Sequence, residues 1–331
     1  MIYDIFSAEA LNDSKKIDNM PIICMKWHPY SNFSSNYLYY AHVNGQIGVF
    51  DKELSKKKKL VQENDEISCL DFNLDGSVLA SVGKDSVIRL YDSDLKSSPD
   101  LNKIITTYGA DSENRSFFSS ISNTVTSILS TSPSHTGRLQ CVKFSNTSND
   151  LLFTGGWDRS VKAWDKRTNQ GYVNSLQGPF ICGSDAIDVN DNLVLTASWV
   201  RENALELWDI RKFKKISTLP IANNTPESND ESMSLREKLK LTDTKVNEYL
   251  YACKFFSSNE LKNEAKSTVN TVLACGSGTQ SLHLVDYEKN NGSELISSYF
   301  CGSALYCLDA IYSCSLICCG GVNSFSVLTG H

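Results

Sequence analysis

The chain has 331 residues, 41% of them hydrophobic, and a formal net charge of −6. That length can bury a large core, either as one repeat-built domain or as two ordinary ones. The acidic balance, with a pI near 5.5, argues against a nucleic-acid or anionic-membrane partner. No run approaches the roughly 18 apolar residues of a membrane span, so no membrane insertion is expected. The opening MIYDIFSAEA has no charged region followed by a long apolar run, so no secretory signal is expected.

Near the start, Tyr3-Asp4-Ile5-Phe6 has the character of a strand. Internal repetition follows. The hexapeptides IICMKW, ISCLDF, LQCVKF and LYCLDA place Cys24, Cys69, Cys141 and Cys307 in one slot, which Ala186 and Ala252 also fill. The intervals between these six positions are 45, 72, 45, 66 and 55 residues. Two match one repeat period, and the others read as that period plus insertions.

Repeat one covers residues 22–51, with a turn at Asn44-Gly45 and an ending at Val49-Phe50-Asp51. The run from Lys56 to Lys59 reads as a solvated outer strand or turn rather than a basic binding patch. Repeat two, residues 67–92, turns at Asp75-Gly76 and at Asp85 and ends in Leu90-Tyr91-Asp92. Residues 93–134 are too long for an ordinary connection. Within them Asn102 to Tyr108 can be an outer strand, and the Ser/Thr/Asn-rich residues 112–134 read as a mobile loop.

Repeat three, residues 135–165, is the best formed. Leu139 to Phe144 alternates with the period of a strand, a polar turn follows, and Leu151 to Thr154 is a second strand. Gly155-Gly156-Trp157-Asp158-Arg159 makes a tight turn, and Ser160 to Trp164 alternates again before Asp165. Repeat four, residues 180–209, opens through GPFICG, lengthens its second turn at Trp199-Val200-Arg201-Glu202-Asn203, and ends in Leu207-Trp208-Asp209. Residues 220–247 form a second, polar insertion in which Ser234 can cap a short helix over 235–239. Repeat five, residues 249–286, carries a smaller insertion at 257–270, and repeat six covers 304–329. The domain organisation is therefore a single domain over 1–331, with insertions at 109–134, 220–247 and 257–270.

Repeat three resembles a WD repeat. The family has a His before the first strand, a Ser or Thr in the middle strand, an Asp in the second turn and a closing Trp-Asp. His135, Thr154, Asp158 and Trp164-Asp165 stand at those positions, with Ser134 in place of the usual Gly. The resemblance implies a buried relay in which Asp158 accepts from His135, His135 bonds Thr154, and Thr154 accepts from the Trp164 indole. Read so, these residues hold the fold; the competing reading is a Ser-His-Asp type catalytic group. The order GGWD, GPFICG and ASWVRENALELWD resembles one group of eukaryotic WD-repeat proteins. The fold implied is an all-β WD-repeat β-propeller with six repeats readable, seven blades being the family's commoner number. The resemblance also implies a ring closed by joining the N-terminal strand to the last repeat.

Eleven cysteines with no C-x-x-C pair, beside five histidines, argue against a zinc site, and no cofactor is called for. The shared slot suits a small buried residue, a role free Cys fills well. Cys314, Cys318 and Cys319 read as structural thiols too, and a reducing, cytoplasmic compartment fits them.

The resemblance places function on one rim, where the loop before each first strand meets the turn between the second and third. The residue before the turn Asp points outward there. That residue is Val43, Lys84, Trp157 or Gly278 in four repeats, and Trp199 in the lengthened turn of repeat four. Trp157 and Trp199, with Arg138, Arg159 and Arg201 around them, combine the side-chain types that dominate interface hot spots. The plainer reading is that each Trp packs on its own turn. The function expected is a non-catalytic protein-interaction scaffold, its partner on the rim near repeats three and four. The substrate receptor of a ligase complex, or a cytoskeletal or ciliary assembly subunit, is a variant of that reading. A propeller hydrolase with an axial metal is opposed by the mixed signs of Lys26, Asp71, Lys143, Asp188, Lys254 and Asp309. A phosphoinositide-binding propeller is opposed by the missing paired-Arg motif.

Overall fold

A computed structural model describes residues 21–29, 37–51, 57–62, 66–93, 104–108, 129–130, 134–168, 171–221, 247–257, 270–288, 292–311, 316–322 and 324–329. These residues form six separate sheets in which the strands pair in chain order, antiparallel throughout except for one short parallel strand added to the second. Blade one comprises β1 (Ile22–Trp27), β2 (Tyr37–His42), β3 (Gln46–Asp51) and β4 (Lys57–Gln62). Blade two comprises β5 (Ile67–Phe72), β6 (Val78–Gly83), β7 (Ile88–Asp92), β8 (Ile104–Tyr108) and the short β9 (Leu129–Ser130). Blade three is β10 (Leu139–Phe144), β11 (Leu151–Gly156), β12 (Ser160–Asp165) and β13 (Tyr172–Gln177). Blade four is β14 (Ile187–Asn190), β15 (Leu193–Ala197), β16 (Leu205–Asp209) and β17 (Lys214–Thr218). Blade five is β18 (Leu250–Ser257), β19 (Asn270–Gly276), β20 (Ser281–Asp286) and β21 (Glu294–Phe300). Blade six has β22 (Leu305–Ile311), β23 (Leu316–Gly321) and β24 (Ser324–Thr329).

The first strands of successive blades lie side by side from β1 through β22, and Asp185 makes a parallel bridge to Ala252 between blades four and five. The architecture is a six-bladed propeller. Its strands sort by burial. All six residues of β6 are buried, because both faces of a middle strand meet a neighbouring blade. The outer strand β21 is exposed at almost every position. The core forms three overlapping clusters across blades one to three, three to five, and five to six. Trp164 joins blade three to the first of these and is fully buried, a contribution of roughly 2–3 kcal/mol.

Five blades share a local device. The first strand shifts register just before the small-residue slot, as between Leu139 and Cys141, opposite the last residue of the second strand. That last residue is Gly83, Gly156, Gly276 or Gly321 in four of them and His42 in blade one. At Gly156 the reason is steric, since a Cβ there would run into the Arg138 carbonyl.

Four expectations are corrected. The slot is buried at Cys24, Cys69, Cys141, Ala186 and Ala252, but Cys307 is exposed. Cys307 lines the axial cavity, and Phe325 and Val327 of the same blade are exposed as well. Residues 112–134, expected to be a loop, contain β9, which adds in parallel to β8. The second strand of repeat three runs on through Gly155 and Gly156. Cys319 is buried as a structural thiol should be, but Cys318 is only half-buried. Lys57 to Lys59 lie on the outer strand β4. The N-terminal strand at 3–6, the helix over 235–239, Cys314 and most of the three insertions lie outside the described residues.

Candidate functional site: an aromatic and arginine strip on the rim

The turn between second and third strands is tethered to the loop before the first strand in the same way in four blades. Val43 N–H donates to the Pro21 carbonyl (3.1 Å), Lys84 N–H to Glu66 (3.0 Å), Trp157 N–H to Arg138 (3.0 Å), and Ser277 N–H to Tyr249 (3.0 Å). Each acceptor lies three residues before its slot residue, Cys24, Cys69, Cys141 or Ala252. Blade four uses Trp199 N–H to the Phe180 carbonyl, 2.9 Å. These bonds carry two loops per blade to one rim and fix the side chains that stand on it.

Blade three holds its rim turn through the relay. His135 Nδ1 lies 2.7 Å from Asp158 Oδ2, and its Nε2 lies 2.8 Å from Thr154 Oγ1. Trp164 Nε1 donates to Thr154 Oγ1 at 2.7 Å. With Asp158 accepting, the neutral imidazole carries its proton on Nδ1, so the Thr154 hydroxyl donates to Nε2 and accepts from the indole. Burial pushes the His135 pKa down, against the pull of Asp158. The Asp158 carboxyl sits below its ordinary range, because its bonds from His135, Ser160 and Thr136 outweigh burial. Asp, His and Thr in line resemble a nucleophilic triad in order only. Thr154 is completely buried and its oxygen already serves Trp164, so no substrate reaches it.

Beside this turn, Trp157 is 51% exposed. The Arg138 guanidinium lies 6.0 Å from the centre of its ring, and Arg138 pairs with Glu66 at 2.7 Å. With its amide oxygen facing them, Gln140 accepts from Trp157 Nε1 (3.3 Å) and Arg138 Nε (3.1 Å). Across the groove between blades three and four, Arg159 lies 5.7 Å from the Phe180 ring centre. Phe180 and Trp199 have ring centres 6.4 Å apart, and Trp199 and Tyr249 4.8 Å. Arg201 Nε donates to the Tyr249 hydroxyl at 3.2 Å. Trp199 is 39% exposed. The two tryptophans thus share a rim without a ring contact of their own among the described residues; Phe180 stacks on Trp199 and meets Arg159. Lys84 stands exposed on blade two, one turn away. Arg159 has φ 55° and Asn203 φ 59°, left-handed conformations that bulky side chains adopt at a cost of about 1 kcal/mol or more.

Sequence reasoning missed Phe180, Tyr249, Gln140 and Glu66. A signal existed for two of them: the position three before the slot yields Glu66 and Tyr249 by the same spacing that yields Arg138. Phe180 lies in the irregular GPFICG approach, where no spacing applies.

On the axis, a cavity of about 560 Å3 is lined in part by Lys26, Asp71, Lys143, Asp188, Lys254 and Asp309. Lys143 pairs with Asp188 at 3.2 Å, Lys254 pairs with Asp309, and Lys26 pairs with Asp185 at 3.4 Å. Asp188 raises the Lys143 pKa more than burial lowers it. Asp71 accepts the Phe144 N–H at 2.7 Å and Asp188 the Phe255 N–H at 2.9 Å. Among the described residues no three His, Cys, Asp or Glu side chains are placed to hold a metal ion. Burial pushes the Cys253 and Cys275 thiols well up, and neighbouring thiols together with burial do the same for Cys24 and Cys69, so none is a ready thiolate.

Comparison with known proteins agrees with this architecture. The family described as WD domain, G-beta repeat, matches residues 55–92 and 126–165, which fall on repeats two and three. A curated relative, cross-pathway control WD-repeat protein 2 of Flammulina velutipes, is 32% identical over 95 residues, covering 26% of this chain and 27% of the relative. The match thus spans about a quarter of that relative's length. A solved structure titled Crystal Structure of Mitotic Checkpoint Complex superposes with a TM-score of 0.64 at 11% identity, covering 96% of this chain and 77% of that one. At that identity the likeness is one of fold. Two of its repeats thus match the WD-repeat family, whose members typically mediate protein–protein interactions, and the fold is that of a β-propeller.

Proposed function

We propose that this protein is a non-catalytic scaffold that binds a protein partner on the rim of blades three and four. The observation that carries the reading is the pair of exposed indoles, Trp157 and Trp199, each held in place by backbone bonds and by stacking on Arg138, Phe180 or Tyr249. Rigid exposed aromatics bind at low entropic cost, because little rotamer freedom remains to be lost. The left-handed Arg159 supports the same reading, since a bulky residue at a turn position that Gly or Asn would fill more easily suggests selection for its side chain. Pairing of the axial carboxylates with lysines leaves that cavity poorly suited to metal-assisted hydrolysis.

The test is affinity capture with the wild type beside a Trp157→Ala/Trp199→Ala double variant, after circular dichroism establishes that both are folded. Loss of specific partners from the variant is the expected result. An unchanged partner set would refute the rim as the working surface.

A further inference from the structure

We propose that the rim strip recognises an acidic segment of a partner protein, with Asp or Glu side chains flanking an apolar anchor residue. The proposal rests on the rim reading above and adds the chemistry of the partner.

The chain carries a net charge of −6, yet among the described residues this rim displays cations that no carboxylate contact neutralises. The rim carboxylates are engaged within the fold. Glu66 pairs with Arg138, Asp85 with Arg89, and Asp158 with His135. Glu248 accepts the Ala204 N–H. Against them stand Lys84, Arg159 and Arg201, all exposed. Arg159 faces the Phe180 ring and Arg201 the Tyr249 hydroxyl, and among the described residues neither has a carboxylate within ion-pair distance. Glu248 is pushed up by burial, and its neighbour Glu202 adds to the shift.

Each guanidinium therefore presents donors beside an aromatic face. A carboxylate docking there gains a charge-assisted bond in a setting partly screened from water by the rings. Trp157 and Trp199 with Phe180 supply apolar area between the cations, suited to one aromatic or branched side chain. A neutral or basic segment would leave Lys84, Arg159 and Arg201 desolvated without compensation.

Peptide selection tests the chemistry directly. A phage-displayed library of random dodecapeptides is panned on the folded full chain, on Arg159→Glu/Arg201→Glu, and on Trp157→Ala/Trp199→Ala, with Arg159→Gln/Arg201→Gln as a milder pair should the reversal fail to fold. The expected wild-type selection is rich in Asp and Glu around an aromatic or branched residue. A selected peptide, fluorescein-labelled, should bind the charge-reversed chain about tenfold more weakly or worse, and that chain should select Lys and Arg instead. Neutral or basic peptides from the wild type, no enrichment at all, or the same peptides from the reversed chain would overturn the acidic assignment. If enrichment on the wild type still vanishes with the two tryptophans, the rim stands and only its chemistry is wrong. If the tryptophan variant selects the same peptides as the wild type, the rim reading itself falls.

Discussion

Thr154→Val isolates the relay at nearly constant shape. The substitution exchanges a hydroxyl for a methyl of similar volume at a position with no exposed surface. Two partners are then orphaned: the Trp164 indole N–H, now 2.7 Å from the oxygen, and His135 Nε2, now 2.8 Å from it. Each buried polar group left unpaired costs about 1–3 kcal/mol, so about 2–6 kcal/mol is expected in all. Blade four provides the control. There Trp208 Nε1 donates to Thr196 Oγ1 at 3.0 Å, and the Thr196 hydroxyl reaches only the Glu206 carbonyl, at 3.4 Å. Thr196→Val therefore orphans one strong partner and should cost about 1–3 kcal/mol, roughly half the cost in blade three. Urea unfolding followed by tryptophan fluorescence gives both numbers, provided the slopes stay constant. Equal costs for the two substitutions, within about half a kcal/mol, would refute the relay as a stabilising unit.

Further consequences follow from other parts of the fold. Gly156→Ala forces a Cβ against the Arg138 carbonyl, so it should cost about 1–3 kcal/mol in urea unfolding and also disturb the Trp157 environment, seen as altered indole emission. Asp188→Ala leaves the Lys143 ammonium and the Phe255 N–H without their acceptor. Because the Lys143 side chain keeps 29% exposure, a loss of about 2–4 kcal/mol is expected, at the lower end for a buried pair. Burial pushes His283 down to about 4. The unfolded imidazole takes up its proton near 6.5 and the folded one only near 4, so stability is complete above that window and falls as pH drops through it. The loss approaches about 3 kcal/mol, and His283→Gln should flatten the dependence between pH 7 and 4.5; an unchanged slope would refute the assignment.

Much of the architecture was legible because propeller strands carry their position in their composition. A small residue at Cys69, Cys141, Ala186 or Ala252 marks the inner strand, where neighbouring blades converge. The closing Trp164-Asp165 and Leu207-Trp208-Asp209 mark the third strand. Cys307 has the same sequence signature as Cys141 yet is exposed on the axial cavity, so burial of the slot is set by the surrounding packing and not by the hexapeptide itself. Trp157 and Trp199 were legible by counting from the closing Asp. Their companions were not, since stacking of Phe180 and Tyr249 on Trp199 joins three separate loops and depends on rim geometry rather than on any local pattern.

The axis shows how far a single sequence position can reach into the assembly. Two residues after the slot, the blades carry Lys26, Asp71, Lys143, Asp188, Lys254 and Asp309, alternating in sign around the ring. Taken alone, the mixture argues only against a metal site. In the fold it becomes a pairing rule. Against its own burial, Lys26 is held in the charged form by Asp185 and Asp71, and Lys143 by Asp188 and Asp71, so Asp71 serves the cations on both sides of it. Asp309 is held low by Lys254, against its burial, and to a lesser degree by Lys26, which lies across the junction of blades six and one. Strict alternation can close on itself only when the number of blades is even; an odd ring must set two like charges side by side. The charge order at the axis is therefore an electrostatic reason, beside strand pairing, for this sequence to favour an even ring of six blades.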